Sequence, residues 1–301
     1  MKIRHYERSE RIKGYLFIAP AFVLISIIGF YPLLRTLLLS FYDTTFIQPQ
    51  SSFIGLDNYR NLFEDIWFKM SYGNTWYFTA VSVSLEAVLG FAIALLLDLK
   101  LPGRKWLRVS VLIPWAIPTV IAASLFQWIF NGDYGIMNYM LLKLGAIDSY
   151  HNWLGESSSA MWVAIIADVW KTTPFMALII LAGLQGISED IYEAAAIDGV
   201  TCWQRFFHMT LPLTLPIFLT ALMLRTLDAF RVFDLIFVLT GGGPANSTEV
   251  LSGYAYKTTF SSTQVGYGAS MSVLMALSVF GVALVMQLLL HLANKRIEGG
   301  R

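Results

Sequence analysis

The sequence has little charge and a single cysteine, and each shortage excludes a class of protein. Only 14% of its 301 residues are Asp, Glu, Lys or Arg, whereas soluble domains carry about 25%. The lone Cys202 has no partner for an intrachain disulfide and forms no cysteine cluster for a metal. A formal net charge of +1 provides no strongly basic surface. We therefore expect no nucleic-acid partner and no bound metal.

Groups that perform catalysis are also scarce. The histidines show no metal-ligand spacing; they are His5, His151, His208 and His291. The sequence has no Gly-x-x-x-x-Gly-Lys-Ser/Thr run, so we do not expect this chain to hydrolyse ATP by that route. The glycine cluster 241–243 is not followed by lysine and indicates a hinge or loop. We predict no catalytic residue and no cofactor bound by this chain.

Long apolar runs, by contrast, are abundant. Hydrophobic residues make up 56% of the chain, and six windows are long enough to cross a hydrocarbon core of about 30 Å. Backbone groups cannot remain unpaired in lipid, and the windows are too long for barrel strands, so they predict helices. The sequence thus predicts an all-α integral membrane protein with six transmembrane helices, at residues 14–34, 75–97, 107–130, 160–184, 213–239 and 269–292.

The distribution of lysine and arginine indicates the orientation of these spans. Basic residues cluster in the amino-terminal tail, in the connection between the second and third spans, and at the carboxyl end. They are Lys2, Arg4, Arg8, Arg11, Lys13, Lys100, Arg104, Lys105, Arg108, Lys295, Arg296 and Arg301; the opposite loops hold only Arg60, Lys69, Lys143 and Lys257. Both termini are therefore predicted to be cytoplasmic, with tails at residues 1–13 and 293–301 around a single transmembrane domain at 14–292.

Two connections on the predicted outer side have local structure of their own. Residues 53–59 predict a turn followed by a short amphipathic helix. The Thr-Gly-Gly-Gly-Pro stretch at 240–244 is predicted to end the fifth helix, and helix is expected to form again within 247–260.

Tryptophans near the third and fourth spans are candidates for contact with a sugar, because sugar rings have apolar faces. Pro114 and Pro118 flank Trp115 and are predicted to open the helix there and expose backbone carbonyls. Trp128 and Trp162 lie near the predicted membrane boundary, where tryptophan commonly serves as an interfacial anchor. Trp115 is therefore the stronger candidate for sugar stacking.

Three spans carry ionisable residues at membrane depth. These residues are Glu86 in the second span, Asp168 and Lys171 in the fourth, and Arg225, Asp228, Arg231 and Asp234 at intervals of three in the fifth. A charge at the bilayer centre costs at least about 2.5–3.5 kcal/mol, so such groups pair or face water. Two interpretations remain open: one side of the fifth span lines an aqueous path opposite the fourth span, or the charges only hold helices together.

The polar segment between the fourth and fifth spans begins with a predicted short helix. Ser188 is positioned to cap this helix, and Glu189 and Asp190 in its first turn favour the helix dipole. Asp198-Gly199 then predicts a break, because glycine readily adopts a left-handed conformation.

A second short helix is predicted to follow the break. Thr201 and Gln204 have the spacing of a capping box, and Leu211-Pro212 is predicted to end the helix. The segment should therefore form a bent helix pair on the cytoplasmic side. Residues 194–196 would leave one side smooth enough to enter a groove on a partner, where Glu193 would pair with a basic group.

The spacing of this polar segment resembles the signature loop of ABC-importer permeases. The matching residues are Glu193, Ala194, Ala195, Asp198, Gly199, Leu211 and Pro212. Stretches 113–118, 168–176 and 240–244 resemble the carbohydrate class of this family, and WKTTPFM and RTLDAFRVFD are most similar to its trehalose/maltose permeases. The resemblance implies a type I ABC-importer permease fold, located in the cytoplasmic membrane of a bacterium or archaeon.

The same resemblance implies partners and a mechanism. The partners would be a second homologous permease subunit, two ATP-binding cassette ATPase subunits that bind ATP and Mg, and an external solute-binding protein or lipoprotein. Loop 186–212 would contact the ATPase and drive alternating access for a sugar, such as the disaccharides trehalose or maltose. The alternative is an ion- or proton-coupled secondary transporter that uses the intramembrane charges as a relay.

The resemblance also implies a substrate path through the third, fourth and fifth spans. By motif position it comprises Trp115, Thr119, Lys171, Thr172, Phe175, Asp228 and Arg231. Charged residues here replace asparagines and small groups of the maltose pattern, so the resemblance leaves the identity of the sugar open. Charged side chains nevertheless bind hydroxyl groups well.

Overall fold

The computed structural model describes residues 15–47, 51–99 and 102–299. The predicted tail 1–13, Lys100 and the last two residues of the predicted carboxyl tail lie outside these ranges. The helices are α1 (Tyr15–Leu39), α2 (Asp57–Glu64), α3 (Ile66–Asp98), α4 (Arg104–Ala116), α5 (Thr119–Ile129), α6 (Ile136–Lys143), α7 (Ser157–Leu184), α8 (Glu189–Ile197), α9 (Cys202–Phe230), α10 (Asp234–Leu239), α11 (Leu251–Tyr256) and α12 (Val265–Gly299). Two strands, β1 (Tyr42–Asp43) and β2 (Ser52–Phe53), form a short antiparallel pair that the sequence did not predict.

Five of these helices, α1, α3, α7, α9 and α12, are long and apolar enough to cross a membrane. The bent pair α4 and α5 passes the same test together, so the described residues contain five spans, or six if the pair forms one. The prediction of a helical membrane chain therefore agrees with the structure. The second span is longer than predicted, because α3 begins at Ile66 rather than near residue 75. The cytoplasmic placement of both termini stays a prediction.

The third predicted span bends by 90° between α4 and α5. Ile117 has an extended backbone with ψ of 131°, since the ring of a following proline disfavours helical geometry in the residue before it. Pro118 then leads directly into α5. The predicted opening of the helix between Pro114 and Pro118 is thus confirmed.

The prediction that Leu211-Pro212 ends a short helix is wrong. α9 continues through both residues, from the polar segment into the fifth span. A wide turn over Phe206–Thr210, in which the Leu211 amide donates to the Phe206 carbonyl, lies just before the proline. In a regular α-helix the proline ring would crowd the carbonyl four residues earlier, and a local π-turn relieves this crowding.

The fifth predicted span, 213–239, is interrupted near its carboxyl-terminal end. α9 stops at Phe230 and α10 starts at Asp234, although neither proline nor glycine lies between them. The break leaves the Val232 carbonyl outside helical hydrogen bonding, and the hydroxyl of Ser252 donates to it. A side chain from α11 therefore satisfies a backbone group that lipid would leave unpaired.

This break corrects the predicted geometry of the charged series. Arg225 and Asp228 lie on α9, but Arg231 has a non-helical backbone with φ of −104° and ψ of 19°. Asp234 belongs to the next helix. The four charges therefore do not follow one face of a single helix, and the turn at Arg231 changes the direction in which the last two project.

Two compact units make up the chain. The larger comprises Asp65–Tyr254 and the residues from Met275 onward, and its core includes the packing of α3 against α7. Gly90 permits close approach there, because a Cβ at this position would lie 3.1 Å from the Met176 side chain. Fully buried side chains of this core include Phe78, Leu97, Ile165, Met176 and Ile180.

Residues up to Glu64 and Ala255–Leu274 form the smaller unit. The predicted turn and amphipathic helix are present there, since Gly55 has φ of +60° and α2 follows it. The buried Asn58 side chain donates to the carbonyls of Ser40 (2.9 Å) and Tyr42 (3.1 Å), which fixes α2 against the end of α1.

The region after α10 matches the prediction in outline. α10 ends at Leu239, directly before the glycine-rich stretch. The Thr248 hydroxyl lies 2.7 Å from the Thr240 hydroxyl and donates to the Gly243 carbonyl at 2.7 Å, so this loop is internally bonded. Helix then forms again as α11 and a wide turn over Lys257–Ser261.

Candidate functional site

A polar cavity of about 260 Å³ lies among α5, α7, α9 and α10. It is lined by Thr119, Asp168, Lys171, Thr172, Arg225, Asp228, Ala229, Arg231, Val232, Phe233, Asp234 and Leu235. Five of the seven predicted substrate-path residues are among them: Thr119, Lys171, Thr172, Asp228 and Arg231. The structure therefore brings together residues that lie up to about a hundred positions apart in the sequence.

Arg225 is the central cation of this region, and its side chain is only 3% exposed. Its Nε lies 2.5 Å from Glu86 Oε2, and its Nη2 lies 2.9 Å from Glu86 Oε1. The same Nη2 donates to Asp168 Oδ2. One guanidinium thus ties α3, α7 and α9 together through two buried carboxylates. Buried charged side chains in a membrane span need partners of opposite charge, because water does not solvate them there.

Asp228 connects this buried cluster to the more open part of the cavity. One of its oxygens lies 3.5 Å from Arg225 Nη1, and the other accepts a 3.1 Å hydrogen bond from Arg231 Nη2. The Asp228 and Arg231 side chains are 57% and 67% exposed in this chain. Arg225 therefore joins helices, as one interpretation predicts. Asp228 and Arg231 are more exposed, and the aqueous path of the other interpretation stays a prediction.

Two charged side chains in the cavity wall, those of Lys171 and Asp234, form no ion pair among the described residues. Thr172 beside them is constrained, since its hydroxyl bonds to the Asp168 carbonyl (2.6 Å) and to Glu86 Oε1 (2.9 Å). The cavity therefore offers an ammonium and a carboxylate that no close ion pair holds in the described part of the chain, on a wall whose other charged side chains are paired.

Trp115 and Phe175 are placed elsewhere. Their rings stack on each other, with centroids 5.8 Å apart and planes inclined by 13°. Neither residue lines the polar cavity. Trp115 is nevertheless 48% exposed.

The sequence reasoning left four charged residues out of the predicted path. Asp168, Arg225 and Asp234 line the polar cavity, and Glu86 lies directly behind its wall. Their presence in apolar spans was the available signal. Pattern alone could not tell which of these charges meet, because Glu86 and Arg225 are 139 residues apart.

The polar segment folds largely as predicted up to α9. Because this segment is predicted to contact an ATPase, we call residues 188–207 the coupling element. Gly199 has φ of +70°, and the amides of Gly199 and Val200 bond to the carbonyls of Ala196 and Ala195, which is a Schellman cap. Thr201 and Gln204 form the predicted capping box. One detail is wrong: Ser188 precedes α8, but its hydroxyl donates to Asp190 Oδ2 and caps no backbone amide.

A second cavity, of about 810 Å³, lies beneath this element and is called the coupling cavity. It is lined by Leu95, Leu96, Asp98, Leu99, Leu184, Glu189, Tyr192, Glu193, Ala196, Cys202, Arg205, Phe206 and Thr210. Glu193 is among the lining residues and is exposed, as are Ala194, Asp198 and Gly199, whereas Ala195 is buried. Leu211 and Pro212 lie farther along α9, within the continuous helix.

The coupling element also presents apolar side chains that the sequence reasoning missed. Ile197 is 87% exposed and Trp203 is 74% exposed. The Trp203 ring stacks on that of Phe207, which is itself exposed, at 6.0 Å. The signal was present in the sequence as large hydrophobics inside a polar segment, and such exposed groups commonly mark protein contacts.

Comparison with known families identifies this arrangement. The model of the family described as binding-protein-dependent transport system inner membrane component matches residues 86–299. This chain belongs to that family. The matched stretch includes both cavities and the coupling element, so every candidate site described above lies within it.

Relatives of this inner membrane component extend over nearly its whole length. The trehalose/maltose transport system permease protein MalF of Thermococcus litoralis is 45% identical, over 90% of this chain and 91% of its own. The trehalose transport system permease protein SugA of Mycobacterium tuberculosis is 38% identical, over 97% and 92%. The sulfoquinovosyl glycerol transport system permease protein SmoG of Agrobacterium fabrum is 37% identical, over 95% and 93%. The resemblance stated from the sequence is thus confirmed.

Solved structures show that the inner membrane component has the fold of an ABC-importer permease. A chain of a bacterial ABC transporter involved in import of the acidic polysaccharide alginate aligns with a TM-score of 0.83 over 97% of this chain and 99% of that one, at 22% identity. The alginate transporter in complex with an alginate pentasaccharide-bound periplasmic protein gives 0.81 over 93% and 94%. At this identity the similarity concerns the fold alone.

Proposed function

We propose that this chain is the membrane-spanning permease subunit of an ATP-driven importer that carries a disaccharide, such as trehalose or maltose, into the cell by alternating access. A second homologous permease, two ATPase subunits that bind ATP and Mg, and an external solute-binding protein or lipoprotein complete the transporter. The membrane would be the cytoplasmic membrane of a bacterium or archaeon. Two relatives named for trehalose or trehalose/maltose transport support the sugar class.

The observation that carries this proposal is the polar cavity within a bundle of apolar spans. Its ammonium on Lys171 and carboxylate on Asp234 suit a hydroxyl group, which both donates and accepts hydrogen bonds. Its volume of about 260 Å³ is below the range of about 300–1,000 Å³ for ligand pockets. We infer that this chain supplies part of the sugar site and that the second permease completes it.

The coupling element supports the ATP-driven part of the proposal. A Schellman cap ends α8, and the capping box of Thr201 and Gln204 begins α9. α9 then continues as one helix into the wall of the polar cavity. A displacement of the element by an ATPase would therefore be transmitted along α9 to Arg225 and Asp228. ATP would change the direction of access only by binding one conformation more tightly than the other.

Sugar-stimulated ATP hydrolysis tests the proposed function. We expect the complex purified with its natural partners and binding protein to hydrolyse ATP several-fold faster with trehalose or maltose than with glycine betaine. The control lacks the binding protein and should show little stimulation. Accumulation of sugar by vesicles that contain no ATPase subunit would favour the ion-coupled alternative.

The single cysteine provides a test of orientation that needs no mutation. Cys202 is exposed at the start of α9, so a membrane-impermeant maleimide should label it in inside-out vesicles and not in right-side-out vesicles. Cys202→Ser gives the background. Adding Asp148→Cys to that variant moves the thiol to the loop between α6 and α7 and should reverse the pattern. Labelling of Cys202 from the outside would contradict the proposed coupling role.

A further inference from the structure

Glu86 lies directly behind the wall of the polar cavity, at the middle of α3. Its side chain is 0% exposed and does not line the cavity. It nevertheless contacts two residues that do, since it pairs with Arg225 and accepts a hydrogen bond from Thr172. A buried carboxylate in a membrane span is costly, and the transport path described above makes no use of it.

The contacts of Arg225 explain what Glu86 contributes. Every nitrogen of the guanidinium faces a carboxylate: Nε and Nη2 face Glu86, Nη2 also meets Asp168, and Nη1 faces Asp228. Glu86 takes two of the guanidinium nitrogens from the side away from the cavity. Asp228 therefore does not balance Arg225 alone: one of its oxygens lies 3.5 Å from Arg225 Nη1, and the other holds Arg231 at 3.1 Å.

The charge balance of the cavity depends on this arrangement. Three cationic side chains line it, Lys171, Arg225 and Arg231, and three anionic ones match them, Asp168, Asp228 and Asp234. With all groups ionised the lining has no net charge, and Glu86 adds one negative charge behind it. An anionic ligand would find the arginines already occupied, whereas the hydroxyl groups of a neutral ligand could still bond at Lys171 and Asp234.

We propose that Glu86 is a positioning residue that makes this cavity select neutral over anionic carbohydrates. The proposal rests on the proposed function in carbohydrate import and adds a residue and a charge class to it. Glu86 acts through Arg225 and Thr172 and touches no substrate. Removing its charge would leave Arg225 with fewer acceptors, make the cavity more positive and relax the exclusion of anions.

The test compares a neutral with an anionic form of the same disaccharide. The complete complex, with its second permease, ATPase subunits and binding protein, is assayed for ATPase stimulation by trehalose and by trehalose in which one glucose is oxidised to glucuronate. The binding protein is identical in every assay. A change in the ratio of the two KM values between variants therefore reports on the permease alone.

We expect Glu86→Gln, which keeps the shape and removes the charge, to shift this ratio toward the anionic sugar by about tenfold. The kcat with trehalose should change by less than about twofold, since no substrate contact is lost. Glu86→Asp keeps the charge but withdraws it from Arg225, so a smaller shift of about two- to threefold is expected. Ser82→Ala is the matched control: Ser82 is fully buried one turn earlier on α3, its hydroxyl has no hydrogen-bond partner in the described part of the chain, and the substitution should leave the ratio unchanged.

The outcomes separate the two proposals. An unchanged KM ratio in both Glu86 variants would mean that Glu86 only holds the helices together. The same conclusion would follow if the Glu86→Gln complex failed to assemble and Glu86→Asp left the KM ratio unchanged. A wild-type complex that responds equally to both sugars would also overturn the inference, while the proposed import of sugar would stand. An ATP-hydrolysing complex that responds to neither sugar would overturn the proposed function itself.

Discussion

Glu193→Lys is expected to abolish ATP-driven uptake while leaving the chain folded in the membrane. The carboxylate lines the coupling cavity, belongs to an exposed residue, and forms no ion pair among the described residues. Its loss therefore costs little stability. Opposing like charges across an interface costs several kcal/mol, and each 1.4 kcal/mol is a factor of ten, so we expect uptake to fall by about 100-fold. Proteoliposomes with the assembled complex and internal ATP measure this directly.

Asp148→Lys is the control for a charge reversal of the same kind. Asp148 lies in the loop between α6 and α7 and has no ion pair among the described residues. Uptake should remain within about twofold of wild type, since surface substitutions of this sort have small effects. The ion-coupled alternative predicts the opposite order: transport would survive Glu193→Lys and stop in Asp228→Asn.

The elements predicted best from the sequence are those whose signals are local. An apolar run must form a helix in lipid, because each backbone amide has to find a partner within the segment. The cap at Gly199 and the capping box at Thr201 and Gln204 depend on contacts within a few residues. The bend at Pro118 follows from the covalent structure of proline. All of these could be predicted without knowledge of neighbouring helices.

Predictions failed where a local distortion or a distant contact compensates for a local preference. Pro212 looked like a helix end, but the wide turn over Phe206–Thr210 lets α9 pass through it. No proline or glycine in the sequence predicts the break after Phe230. The hydroxyl of Ser252 bonds to the Val232 carbonyl that the break leaves without a helical partner. Neither the wide turn nor the Ser252–Val232 hydrogen bond can be predicted from the periodic pattern of apolar residues.

The candidate site also contains features that could be predicted from the sequence and features that depend on distant contacts. Motif positions and charges identified five residues of the polar cavity, because ionisable groups inside a bilayer must pair with one another or face water. The pairing of Arg225 with Glu86 and Asp168 needed the three-dimensional packing of α3, α7 and α9. The ring of Trp115 packs against that of Phe175, and contact of these two residues with a sugar stays a prediction.

Arg225→Met should produce a large loss of stability in the larger unit. The substitution leaves Glu86 and Asp168 buried side by side without a cation, and removal of one partner of a buried ion pair costs about 3–5 kcal/mol. We expect a lower unfolding temperature in detergent, followed by fluorescence-detected size exclusion after heating, and reduced accumulation in the membrane. Arg231→Met, at a side chain 67% exposed, should change the unfolding temperature little.

The triple variant Glu86→Gln, Asp168→Asn, Arg225→Met separates charge from packing. Replacing an entire buried ion cluster with neutral groups of similar size is often neutral or stabilising, so it should recover more than half of the stability lost in Arg225→Met. If it is no more stable than the single variant, Arg225 supports the fold through its shape rather than its charge.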